Sequence, residues 1–174
     1  PYTSNDLGYG LRVLPKRIAK TMKYIQHNKP WDTAWMVYDV DRPSSSVDWI
    51  DRSVPGPNIV ATNPENGHSH LFYALGTPVH LYDFSSKKTK NYAAAIDYAV
   101  TRELEADQGY TKLISKNPLH DHWIVQTFQT VPYDLDWMAD WLDLPAPDGR
   151  RNPVPVGIGR NVTLFRRTAK WAYS

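Results

Sequence analysis

An α+β fold with an antiparallel sheet is what the sequence predicts, and three observations carry it. Short runs of β-branched and aromatic residues alternate with a period of two, two such runs flank a tight Asn/Gly turn, and apolar residues recur at helical spacing in other segments. The length of 174 residues, 41% of them hydrophobic, fits one domain with a short appendage. Seven Trp, eleven Tyr and four Phe provide bulky rings for its core.

Residues 15–27 place Pro15 at a first helical position and Ile18, Met22 and Ile25 at i, i+4 and i+7. This predicts a basic amphipathic helix with Lys16, Lys20 and Lys23 outward, either touching phosphates or simply solvated. Residues 35–41 alternate as a strand, and the Pro/Ser/Asp-rich stretch 42–57 is a loop. Residues 58–61 and 69–75 read as two strands of a hairpin closed by Asn63-Pro64-Glu65-Asn66-Gly67. Residues 91–106 return to helix, with Ile96, Val100 and Leu104 spaced by four, and 123–128 read as a strand. Asp134 is placed to cap a short helix carrying Leu135, Trp137, Met138 and Trp141. The Pro/Gly-rich stretch 145–159 divides a domain over 1–144 from a basic C-terminal helix capped by Asn161, with Arg166 and Arg167 outward.

The formal net charge of +2 conceals an uneven distribution. Residues 1–30 hold six Lys/Arg and one acid, residues 31–148 hold eight against seventeen acids, and residues 149–174 hold six and none. An acidic middle between basic ends suits a metal-binding centre flanked by polyanion-binding surfaces, or merely solvated termini. With no cysteine, any metal must be held by carboxylates or imidazoles, which favours magnesium or manganese. No apolar run approaches the ~20 residues of a membrane span, and the first residues lack a signal peptide's layout. The expectation is a soluble, intracellular protein with no membrane partner.

Three constellations carry candidate chemistry. Asp39-Val40-Asp41 ends a hydrophobic strand, so both carboxylates share a face about 7 Å apart, where they either bridge a divalent cation or lead into a turn. His68-Ser69-His70 opens a second strand soon after, with both imidazoles on the side of Phe72, and adjacent strands can bring the acids and the imidazoles together. In 110–120, Lys116 and His120 follow an apolar run in a polar loop, as phosphate ligands or as exposed turn residues. Tyr110 and Trp123 are expected in the core rather than stacking on bases.

The order VYDVDR, NPENGHSHLFYAL, GYTKLISKNPLH with Trp123, and GRNVTLF…KWAY resembles the replicase (Rep) family of theta-replicating bacterial plasmids of the colicin type, from about residue 30 to the end. That family is similar in turn to the archaeo-eukaryotic primase superfamily. The resemblance implies a polymerase-like palm with an RRM-like sheet flanked by helices, in an initiator that makes a short primer at its plasmid origin in the bacterial cytoplasm. It implies Mg2+ or Mn2+ on Asp39 and Asp41, His70 as the nucleotide-binding histidine, and His68 as its neighbour. The third acid of the superfamily has no fixed match; Asp107 is the preferred candidate, ahead of Asp97 and Asp83. Lys116, His120 and the Arg-rich tail (Arg150, Arg151, Arg160, Arg166 and Arg167) carry over as phosphate contacts. Outside the resemblance, the basic segment with Lys16, Lys20 and Lys23 is expected, by its charge, to follow the template DNA backbone together with that tail. Nucleoside triphosphates, origin DNA and a host DNA polymerase are the implied partners. Family members continue into a helical segment and an origin-recognition domain, which would make this chain an excised catalytic domain.

Two rival readings stand beside it. One is a non-catalytic initiator domain that binds DNA. The other is a rolling-circle nickase, although its paired histidines normally flank a hydrophobic residue where Ser69 stands here, and no helix offers a Tyr with a Lys three residues on.

Overall fold

A computed structural model of the chain describes residues 1–144, so the predicted C-terminal helix and the arginines at 150, 151, 160, 166 and 167 lie outside the described residues. In chain order the elements are β1 (Tyr2–Ser4), β2 (Arg12–Val13), α1 (Lys16–Ala19), β3 (Tyr24–Ile25), β4 (Asp32–Val40), β5 (Ile59–Thr62), β6 (Ser69–His80), α2 (Lys87–Glu103), β7 (Ser115–Lys116), β8 (Ile124–Thr127) and α3 (Leu135–Ala139). They form the expected α+β arrangement, with two antiparallel sheets ordered β4-β6-β5-β8 and β2-β1-β3-β7.

The larger sheet follows the alternation in its strands. Met36, Tyr38 and Val40 on β4, with Leu71, Tyr73 and Leu75 on β6 and Val60 on β5, face one side and pack against Ile96, Val100 and Leu104 of α2 and Met138 of α3. The opposite face carries Val37, Ala61 and Phe72 under Trp123, with Tyr24, Trp35, Ile59 and Tyr110 around them. Trp123 is therefore a core residue, as expected, and Tyr110 is half-buried against the same cluster. Because both faces are covered, residues 69–73 of β6 are buried without a break.

The β5–β6 hairpin turns where the Asn/Gly motif requires. The Gly67 N–H donates to the Asn63 carbonyl (2.9 Å), and Gly67 takes a φ of 73° in which a side chain is strained. A Cβ there would also collide with the Pro43 carbonyl. The hydroxyl of Ser45 donates to the Gly67 carbonyl (2.7 Å), which fastens the turn to the loop leaving β4.

The basic helix expected over 15–27 is a correction. Only Lys16–Ala19 is helical, and Tyr24 and Ile25 become β3, paired with Ser4 and Thr3 of β1 and with Lys116 and Ser115 of β7. Spacing at i, i+4 and i+7 also suits a broken segment, and strand pairing prevails over a helix without a continuous partner face. Asn117 holds the turn between, its side-chain amide donating to the carbonyls of Lys20 (2.8 Å) and Met22 (2.7 Å).

Candidate functional site

Asp39 and His70 are direct partners across the β4–β6 ladder, on the face away from α2. The Asp39 carbonyl accepts from the backbone N–H of Asp107 (2.8 Å), which draws the loop after α2 to the end of β4. Asp107 in turn accepts from the Gly109 N–H (2.7 Å), so its carboxylate is fixed by its own loop. As a result Asp39, Asp41 and Asp107 each bring a carboxylate oxygen within 4.8 Å of the others.

Charge around this cluster is partly balanced. His70 Nε2 lies 3.1 Å from Asp39 Oδ1, and Lys116 Nζ lies 3.6 Å from the same oxygen. Oδ1 is buried, and apart from these two charged neighbours no hydrogen-bond donor reaches it among the described residues. Burial pushes the Asp39 carboxyl up, but the adjacent His70 and Lys116 outweigh it and hold the group below the usual range. Burial lowers His70, only partly countered by Asp39, and it lowers Lys116 against the pull of Asp39 and Asp41. Nδ1 of His70 accepts from the Lys116 backbone N–H (3.1 Å), which leaves the proton of the neutral ring on Nε2, toward Asp39.

Three carboxylates with one orphaned buried oxygen fit a hard divalent cation, whose ligands are oxygens and whose charge would offset their mutual repulsion. With no cysteine in the chain the oxygens dominate, and the neighbouring imidazoles of His70 and His68 each stand 3.1 Å from one of the carboxylates.

The other predicted residues separate. His68 Nδ1 contacts Asp41 Oδ1 (3.1 Å) at the exposed rim. Lys116 is in β7 with its side chain 8% exposed, which corrects its placement in an open loop. His120 is not at the cluster: its Nδ1 accepts from the His122 N–H (3.0 Å) beside the His122 ring. Asp97 faces the opposite core, where it pairs with Lys112, itself over the Tyr38 ring. Asp83 follows the far end of β6. Lys16 and Lys20 are exposed at α1, whereas the Lys23 carbonyl is taken up by Asn117 (2.8 Å) and the Trp123 indole (2.7 Å).

Two residues that the sequence reading passed over position the cluster. Arg42, next to Asp41, binds Asp48 and donates to the Leu104 carbonyl at the end of α2 (2.6 Å). Arg52 contacts the same Asp48 (2.9 Å), the Glu103 carbonyl (2.6 Å) and Glu105 (3.0 Å). These guanidinium groups satisfy carbonyls that the end of a helix leaves open, and they tie the loop after Asp41 to the one that carries Asp107. The only signal in the sequence is an Arg on each side of the aspartates at 48 and 51.

A family model described as Replicase family matches residues 1–142, including the N-terminal residues outside the resemblance. No curated protein and no solved structure matches the chain. Among the described residues, no helix is long and apolar enough to cross a membrane.

Proposed function

The chain belongs to the Replicase family, with the role in plasmid replication that this membership carries, and from that premise we propose that the cleft at Asp39, Asp41 and Asp107 is a nucleotidyl-transfer site for DNA-templated primer synthesis. The convergence of three carboxylates from two distant segments, beside a buried His and a buried Lys, is the observation that carries this reading. It also supports the likeness to the primase superfamily, with Asp107 as the third acid.

Asp39, Asp41 and Asp107 would hold magnesium or manganese, which when bound supplies charge neutralisation for a triphosphate and a lower pKa for a 3′-hydroxyl. His70 offers its Nε2 proton to a phosphate oxygen, and the Lys116 backbone keeps that tautomer in place. Lys116 adds a fixed positive charge, enclosed and so worth more than one in water. In the reaction the 3′-oxygen bonds to the α-phosphorus as the α–β bridge breaks and pyrophosphate leaves, its proton passing to solvent. Phosphate contacts carry no base information, so origin choice must come from other residues.

Incubation with origin DNA, labelled nucleotides and Mg2+ or Mn2+ tests the proposal. Asp39→Asn and Asp41→Asn should each lower incorporation roughly 100-fold or more, and weaken Mn2+ binding measured by calorimetry, with DNA binding nearly unchanged. Unaltered incorporation and Mn2+ affinity in both variants would leave the chain as a DNA-binding initiator domain. A DNA product joined covalently to a tyrosine would instead indicate a nickase.

A further inference from the structure

On the same sheet face as Asp39, farther along β4, the two sheets part around a pocket of about 770 Å³. That is within the range of small-molecule sites. Trp35, four residues before Asp39 and thus about 13 Å along the strand, forms one wall. Phe72 forms another, 6.2 Å from the Trp35 ring, edge to face, and 6.4 Å from the ring of His27. Burial lowers the pKa of His27 to about 3, so this third flat ring is uncharged at neutral pH.

The mouth has a different character. Lys16, Lys20 and Lys29 line it, all three exposed, and no Asp or Glu is among the lining residues. Lys29 stands 4.0 Å from Asp32, while Lys16 and Lys20 have no carboxylate partner among the described residues. Flat apolar walls under a cationic rim match a ligand with one planar apolar end and one anionic end. A simple hydrophobe would leave the lysines unused, and inorganic phosphate would leave the rings unused.

We propose that this pocket binds a nucleobase, with the attached phosphate at Lys16 and Lys20, as a nucleotide site separate from the acidic cleft. The kind of ligand is suggested by the reading of that cleft, but the binding needs none of its carboxylates. Phe72 connects the two places, its ring 6.4 Å from the ring of His70. A base seated here would lie one or two nucleotides from the reacting centre, either in a strand or as a separate nucleotide.

Equilibrium binding in EDTA, on an Asp39→Asn background, separates the pocket from the metal reading. The probes are ATP, adenosine, ribose 5-phosphate and a short oligothymidylate. ATP should bind more tightly than either half-ligand, and Trp35→Ala should weaken it roughly tenfold, as loss of one stacked ring does. Lys16→Glu/Lys20→Glu should weaken ATP several-fold and adenosine hardly at all. If the occupant is part of a strand, oligothymidylate shows these losses and ATP does not bind. Trp35→Phe controls for folding, and the exposed Lys pair remains usable if Trp35→Ala unfolds. ATP and oligothymidylate affinities both unchanged in the Lys pair and in folded Trp35→Ala would overturn the proposal, whatever the incorporation assay gives. Saturable binding of a fatty acid with none of ATP or oligothymidylate would overturn it equally.

Discussion

The two faces of the β4-β6-β5-β8 sheet come from alternate residues of the same strands, yet they are closed in different ways. One carries Tyr38, Leu71 and Tyr73 and is sealed by the long α2 and by α3. The other carries Asp39, His70 and Phe72 and is covered by strands of two or three residues, which leave a cleft and a pocket open. Stability is concentrated where the cover is continuous, and the proposed chemistry is located where it is not. Period-two alternation lets one strand serve both, because a change on one face leaves the other face's contacts in place.

The largest expected contrast is between Leu71→Ala and Asp41→Asn. Leu71 is fully buried against α2, and truncating it should cost about 2–5 kcal/mol in urea unfolding. Asp41 is exposed, and Asp41→Asn should change stability by no more than about 0.5 kcal/mol while lowering the proposed nucleotide incorporation roughly 100-fold or more. Equal stability losses in the two variants would erase the distinction between the faces.

Arg42 lies at the border and gives the next effect in size. Arg42→Ala leaves Asp48 and the Leu104 carbonyl short of a partner, at a cost of about 1–3 kcal/mol, and Arg42→Lys should not restore the forked contact. Loss of incorporation should follow the loosened loop, seen as faster hydrogen exchange at Asp107 and Gly109. If nucleotide affinity fell while stability and exchange were unchanged, Arg42 would be a phosphate ligand rather than a clamp.

How much of this could be read beforehand follows the same division. The alternation in β4 and β6, the helical spacing of Ile96, Val100 and Leu104, and the Asn63–Gly67 turn are local patterns, and each reappears in place. That adjacent strands can bring Asp39 and His70 together was legible from the alternation, and the two are paired. Asp107 was singled out only through the resemblance, as the preferred of three acids, and it lies beside Asp39 and Asp41. The small sheet was not legible, because strands of two or three residues have no period and depend on their partners, which for Ile25 include Ser115, 90 residues away. The same long-range pairing turned half of a predicted helix into β3 and moved Lys116 from solvent to the side of Asp39. The Arg42–Asp48–Arg52 clamp is tertiary too, since the carbonyls it serves belong to α2.

The smallest effect concerns the open face alone. His27 is half-buried with Nε2 closed off from water, its Nδ1 3.1 Å from the Ser115 hydroxyl, and His70 and Lys112 add to the burial that lowers its pKa to about 3. Folding therefore excludes a proton that the unfolded chain takes up near its ordinary value of 6.5. Stability from the neutral ring is complete above pH 6.5 and declines as pH falls toward 3, with a slope of at most about 1.4 kcal/mol per pH unit. His27→Phe removes the titrating group and keeps a flat ring, so its unfolding free energy should fall less steeply than the parent's between pH 7 and pH 4. Urea unfolding at four pH values measures both slopes. Parallel slopes would assign the acid sensitivity to His70, which burial also lowers from 6.5 and which likewise must stay neutral in the folded chain, and would leave the pocket wall as an inert part of the open face.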